Sequence, residues 1–204
     1  IGNGKVYILS DTKTIYEYSM EAPSGTSKKQ PYTASHSVEN DIIASPAVTD
    51  QYVIVATGST GDGGHINYIY ALDRENISND HKWSFTNGDT PICYFASPVI
   101  AGEKLYITSW GGDIGFYIDE SKRYQNNKLL ILDINNEKEP IQVDLSAPSY
   151  STPAVSLSSG IVIAGCSSSQ NDSVFAFDLE GNPRWSKKLG AIGYASPVIY
   201  EGMV

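Results

Sequence analysis

The sequence predicts an all-β protein, a β-propeller of four-stranded antiparallel blades, and three observations predict it. One short phrase recurs: "ASPAV" from Ala44, "ASPVI" from Ala96, "STPAV" from Ser151 and "ASPVI" from Ala195. Its prolines, Pro46, Pro98, Pro153 and Pro197, stand about 44 to 55 residues apart. Each of the first three phrases is followed by two apolar runs, the second ending in Asp, at Asp73, Asp133 and Asp178. No stretch keeps an apolar period of 3.6 residues through three turns, so helices are not expected. A repeat of about 40 to 55 residues that holds four short strands has the size of one propeller blade.

The strands follow in order, and we name them A to D. Strand A carries the recurring phrase. Small side chains suit a crowded hub, and a proline, lacking an N–H, is tolerated at a strand start or an unpaired edge. Strand B is "YVIVATGS", "KLYITSW" or "GIVIAGCSS", and strand C is "YIYALD", "LLILD" or "VFAFD". Both are apolar on the two sides, as expected of a sheet sandwiched between neighbours. The Asp that closes strand C suits an Asx-type turn. Strand D opens on Trp83 in "HKWSF" and Trp185 in "PRWSKKL", while "EPIQVDL" puts Ile141 at that position.

The opening segment fits the same pattern, with "GKVYILS" as strand B, "TIYEYS" as strand C and "PYTASHSV" as strand D; the insertion "MEAPSGTSKKQ" reads as an exposed loop. The approximate repeats are 1–42, 43–93, 94–148 and 149–192, with 193–204 as strand A of a further unit. "IYEGMV" at the end aligns with "IGNGKV" at the start. That overlap leaves two arrangements, a closed four-bladed ring or part of a propeller of six to eight blades, and the second is the expectation. Open blade faces would then drive association with further chain or with another copy.

The stretch "VFAFDLEGNPRWSKKLGAIGYASPVIYEGMV" resembles the quinoprotein-type, or PQQ-like, repeat, with Ala176, Asp178, Gly181 and Trp185 in the family's order, and Ala71, Asp73 and Trp83 repeating it less completely. The resemblance covers most of the chain. It implies that Trp83 and Trp185 dock between adjacent blades. It also implies three classes of role: quinone-dependent dehydrogenases, assembly scaffolds of the bacterial envelope, and surface proteins. The dehydrogenases use vicinal cysteines, a tryptophan under the quinone, calcium and a catalytic Asp. Cys93 and Cys166, the chain's two cysteines, are not vicinal. PQQ and calcium are therefore expected only under the dehydrogenase alternative, and the cysteines read as buried thiols or as a disulfide between blades.

Composition narrows the partners. Net charge is −9, with 14 basic and 23 acidic residues and no Lys/Arg cluster, which disfavours nucleic acid and anionic membrane surfaces. No apolar run approaches the ~18 residues of a membrane span. A secreted, periplasmic or cell-surface location follows from the resemblance, and the sequons at Asn76 and Asn171 permit it.

In an antiparallel blade the B–C loops and the D–A connections emerge on one face. Ile43, Phe95, Tyr150 and Tyr194 each stand three positions before a strand-A proline, and Tyr94 adjoins one of them. They suggest an aromatic collar, either binding a ligand or sealing blade to blade. The longest B–C insertion, "WGGDIGFYIDESKRYQNNK", adds Trp110, Phe116 and Tyr117 as ligand contacts and Asp113, Asp119 and Glu120 as calcium ligands, though without EF-hand spacing. "GSTGDGGHIN" holds Asp62 and His65 but no P-loop order. His36, His65 and His81 are the only histidines, and none sits in a hydrolase motif. No catalytic residue is assigned. The expected function is a non-catalytic binding or scaffold module whose loop-rich face takes a protein or a glycan.

Overall fold

Backbone pairing turns the recurring phrases into successive meanders. The computed structural model describes residues 4–10, 13–20, 34–42, 44–58, 66–88, 92–111, 127–167, 171, 173–190 and 194–200. The first blade holds β1 (Lys5–Ser10), β2 (Thr14–Ser19) and β3 (Ala34–Ser37) in that order. The second holds β4 (Ala47–Val48), β5 (Tyr52–Ala56), β6 (Ile69–Asp73) and β7 (Trp83–Phe85). A two-stranded ribbon follows, β8 (Ile92–Cys93) against β11 (Trp110–Gly111). The third blade is β9 (Val99–Ala101), β10 (Lys104–Thr108), β12 (Lys128–Asp133) and β13 (Ile141–Asp144). The fourth is β14 (Ala154–Ser156), β15 (Ile161–Gly165), β16 (Val174–Phe177) and β17 (Pro183–Lys187). All pairs within the blades are antiparallel. The described residues contain no helix.

Side-chain alternation explains how the blades stack. Successive residues of a strand face opposite sides of its sheet. On β5, Val53 and Val55 pack with Ile15, Val38 and Ile42 of the first blade, while Ile54 and Ala56 pack with Leu105, Ile107, Leu130 and Leu132 of the third. On β10, Tyr106 turns the other way and joins Val162, Ala164 and Phe177 of the fourth. Both faces of the central strands are thus buried between neighbouring sheets. The core is a row of inter-blade layers.

Each strand-C Asp closes the turn that the sequence suggested. Asp73 Oδ1 accepts the Glu75 N–H at 2.9 Å, Asp133 Oδ1 the Asn135 N–H at 3.1 Å, and Asp178 Oδ1 the Glu180 N–H at 3.0 Å. Asp178 is held below the usual carboxylate range by its hydrogen bonds, chiefly with Asn182, and Asp73 by Lys82 and the Glu75 amide. Gly181 in the last of these turns has φ +84, and an added Cβ would stand 2.8 Å from Val143 Cγ2 of the third blade. The turn needs glycine both for its left-handed backbone and for the close approach of its neighbour.

Two sets of hydrogen bonds repeat at the joints. The inner set runs through the residues before the strand-A prolines. The Ser45 N–H donates to Ser97 Oγ at 3.0 Å, the Ser97 N–H to Thr152 Oγ1 at 3.1 Å, and the Thr152 N–H to Ser196 Oγ at 3.1 Å. The innermost strands β4, β9 and β14 lie side by side along this chain of bonds. The outer set ends on the carbonyl of the residue after each strand-C Asp. Tyr7 Oη donates to Arg74 O at 3.4 Å, Trp83 Nε1 to Ile134 O at 3.1 Å, and Tyr106 Oη to Leu179 O at 3.2 Å. Every joint between the four blades therefore carries an outer latch, and the inner latches tie the hub of the second, third and fourth.

Trp83 bridges the second and third blades through this outer latch and meets Tyr52 of its own blade edge-on. Trp185 holds the same register, opposite Ala176 as Trp83 is opposite Ala71, but on the far side of the fourth blade, where it is 39% exposed. Ile141 occupies that register in the third blade, opposite Ile131, and Tyr106 supplies the latch there instead. The alternative of a disulfide does not hold: Cys93 and Cys166 are both buried and are not joined to each other.

Candidate aromatic site on the loop face

The site begins with the chain entering strand A. Phe95, Tyr150 and Tyr194 each lie two residues before the Ser or Thr of the inner latch, so the hub that ties Ser97, Thr152 and Ser196 together also aligns their rings. Phe95 and Tyr150 stack with centroids 4.9 Å apart and planes 21° from parallel. Tyr150 and Tyr194 stack at 4.5 Å and 13°. Trp110, at the base of the long B–C insertion, meets Tyr150 edge-on at 4.8 Å and Phe95 at 5.5 Å. Such stacked and T-shaped pairs contribute about 0.5–1.5 kcal/mol each beyond area burial. Gly58, at the end of the second blade's strand B, gives Phe95 its place: an added Cβ would stand 3.1 Å from the Phe95 ring.

The four rings form one column across three successive blades. Exposure grades along it, from half-buried Phe95, Trp110 and Tyr150 to Tyr194, which is 77% exposed. Stacking occupies most ring faces. What remains most open is Tyr194.

Tyr94 is elsewhere. Its side chain is fully buried in the layer between the second and third blades, among Ile92, Ala96 and Leu105, and its hydroxyl has no partner. Burial pushes its ionisation well above the ordinary tyrosine range. It is a core residue, and placing it in the collar is corrected accordingly. An extended chain sends neighbours to opposite sides, so with Phe95 on the loop face Tyr94 must point inward. Cys93, beside it, accepts a hydrogen bond from Asn67 Nδ2 at 3.2 Å, and burial pushes its thiol up to about 12.

Ile43, Phe116 and Tyr117 lie outside the described residues, as do Asp113, Asp119 and Glu120 of the calcium expectation and Asp62 and His65 of the glycine-rich loop. Among the described residues, no three His, Cys, Asp or Glu side chains are grouped to hold a metal ion. A quinone centre of the dehydrogenase type is not matched by the residues present: Cys93 adjoins the Asn67 amide near the second blade, Cys166 packs between the third and fourth, and no vicinal cysteine pair exists.

Sequence reasoning missed the inner latch, although Ser or Thr stands before every strand-A proline. It also missed the β8–β11 ribbon, whose two-residue strands leave no periodicity to read.

Solved structures place this geometry in a known class. The chain is similar to BamB from Moraxella catarrhalis (TM-score 0.62, 17% identity, 94% of this chain and 51% of that one). It is similar to the computationally designed Ika8 protein (TM-score 0.64, 10% identity, 96% and 50%) and to a europium-containing methanol dehydrogenase (TM-score 0.64, 12% identity, 95% and 41%). The fold is that of the PQQ-like β-propellers. At these identities the likeness is one of fold alone, and the chain spans about half the length of BamB and Ika8. No family model matches the sequence, and no curated protein matches it significantly. Among the described residues no helix is long and apolar enough to cross a membrane.

Proposed function

We propose that this chain is a non-catalytic β-propeller binding module of a secreted, periplasmic or cell-surface protein, and that its loop face takes a protein partner. The observation that carries the reading is the aromatic column of Phe95, Trp110, Tyr150 and Tyr194. It is graded from half-buried to 77% exposed and stands on strands latched to one another at the hub. Aromatic anchors on a rigid support suit protein recognition, because little side-chain freedom is lost on binding. The column favours a protein over a glycan. Sugars need open ring faces on which to lie, and here the faces of Phe95 and Tyr150 are turned on other rings. An envelope assembly scaffold is one form of this reading.

A photoreactive phenylalanine analogue at position 194, in the full-length protein within its own cells, tests it. The same analogue at exposed Glu137, in a C–D turn on the opposite face, is the control. Protein adducts at 194 and not at 137 are expected, and adducts should be lost on Tyr150→Ala. Glycan-array binding without protein adducts, or dye reduction dependent on added quinone and calcium, overturns the proposal.

A further inference from the structure

The two ends of the row of blades repeat the two halves of one joint. The joint between the second and third blades shows what each half supplies. The second blade gives it Ile54, Ala56, Ile69 and Ala71, and the third gives Leu105, Ile107, Leu130 and Leu132. Ile100 of β9 packs against this layer, and Trp83 Nε1 donates to Ile134 O at its rim.

The outer side of the fourth blade repeats the first half. Ile163 stands opposite Ala176 as Ile54 stands opposite Ala71, and Gly165 stands opposite Val174 as Ala56 stands opposite Ile69. Ile199, in the last copy of the recurring phrase, takes the place of Ile100 and packs on Ile163, Val174 and Ala176. Trp185 holds the register of Trp83. The outward side of the first blade repeats the second half. Val6 and Ile8 pair with Tyr18 and Tyr16 as Leu105 and Ile107 pair with Leu132 and Leu130. Tyr7 and Leu9 pack toward the second blade, so alternation turns Val6 and Ile8 away from it, and Ile8 is 51% exposed. Met20 stands where Ile134 stands: its N–H donates to Gly4 O, just before β1, as the Ile134 N–H donates to Glu103 O, just before β10. The Met20 carbonyl is therefore at the acceptor position of an outer latch.

Strand count matches in the same way. Three blades have four strands, while the first, among the described residues, has no strand inside β1. Ala195–Ile199 carry the strand-A phrase, and Ser196 completes the hub latch with Thr152, yet they belong to no sheet. One end has an inner strand without its blade, and the other has a blade without its inner strand.

We infer that two copies of this chain join head to tail at both ends into one ring, with Ala195–Tyr200 of each copy lying beside β1 of the other and each Trp185 Nε1 donating to the carbonyl of the partner's Met20. A second copy is the occupant because the complementary half of the joint lies on the same chain. The chain also spans 51% of BamB and 50% of Ika8, so two copies supply the length of one such propeller. A head-to-tail contact either closes into a ring or runs on as a filament, and arcs of half a ring close at two. In this register Tyr200 faces Lys5, as Ala101 faces Lys104. Met203 and Val204 align with Lys5 and Val6 and compete with them for that place.

Sedimentation velocity of the full chain over a dilution series tests this, and a species of twice the chain mass is expected. Trp185→Ala should weaken it about thirtyfold for each of the two joints, the effect of truncating an aromatic anchor. Ile8→Lys puts a charge into the same joint from the other side, at an exposed position, should Trp185→Ala fold poorly. Removal of residues 201–204 should tighten the pair; loosening would overturn the pairing with β1. Paired antiparallel strands hold Cα atoms about 4.5–5.5 Å apart, within reach of a disulfide. Tyr200→Cys combined with Lys5→Cys should therefore oxidise to a covalent dimer on a non-reducing gel, and neither single variant should. A link within one chain, running faster than the reduced monomer, shows a closed four-bladed ring and overturns the inference. A chain monomeric at every concentration also overturns it and leaves the fourth blade's face to a blade of other origin. Growth beyond two copies shows an open filament and overturns the ring.

Discussion

Gly181→Ala probes the joint between the third and fourth blades. Two penalties add. The backbone there has φ +84, in the left-handed region that costs an L side chain about 1–2 kcal/mol. The new methyl would stand 2.8 Å from Val143 Cγ2 and 3.3 Å from Ile131 Cδ1 and Ile141 Cγ2, an overpacking worth about 1–3 kcal/mol. The unfolded chain loses some freedom with Ala, which offsets about 0.4–1 kcal/mol. A net loss of about 3 kcal/mol is expected, and in a chain of this size that lowers Tm by about 6–12 °C. Gly88→Ala is the control: its φ is +63, and nothing lies within 4 Å of the added methyl, so only the backbone penalty of about 1 kcal/mol applies. Differential scanning calorimetry of both variants, and of Gly181→Ala combined with Val143→Ala, separates the two effects. The double variant should recover the steric part. Equal losses in the two single variants would refute the claim that this turn packs against the preceding blade.

Tyr106→Phe removes the outer latch to Leu179 O and should cost about 1 kcal/mol in urea denaturation. Thr152→Val keeps the shape of the hub but leaves the Ser97 N–H without its acceptor; hydrogen exchange at Ser97 should accelerate about tenfold. Burial pushes Tyr70 and Tyr106 up to about 12, above the unfolded value near 10. Their contribution is fully present below pH ~10 and is lost as pH rises toward ~12, so Tyr70→Phe with Tyr106→Phe should flatten the alkaline limb of a stability–pH curve. Cys93, with its thiol near 12, should resist a thiol reagent at neutral pH and react only after denaturant exposes it, which absorbance of the released chromophore reports.

The strands legible from residues alone are those whose burial leaves a compositional trace. β5 and β10 are apolar on successive residues because a blade covers each side, β15 repeats the pattern, and Asp73, Asp133 and Asp178 punctuate the turns that they cap. The column is legible in part. Phe95, Tyr150 and Tyr194 occupy one position of the repeat, and a repeated position becomes a repeated place in space. Tyr94 defeats the same reasoning because adjacency in sequence is not adjacency on a face: an extended chain alternates sides, and Tyr94 turns into the core. The outer latches are not legible as a set because the donor type and its strand change between joints. Tyr7 and Tyr106 share the third place of strand B, whereas Trp83 opens strand D, and all three converge on the carbonyl after the Asp position.

That convergence bears on how the loop face works. A joint held at one radius can pivot; held at both the hub and the rim, it resists rotation of one blade against the next. Serine and threonine hydroxyls hold the hub, and tyrosine or tryptophan donors hold the rim. Rings contributed by three different blades therefore keep a stack 4.5 to 4.9 Å apart without a shared strand to align them. The register of the column is a property of the joints, which hold half-buried Tyr150 and exposed Tyr194 in one preorganised stack. Loosening a latch far from the face, as in Tyr106→Phe, should then weaken partner binding through the spacing of Phe95 and Tyr150, even though every residue of the face itself is unchanged.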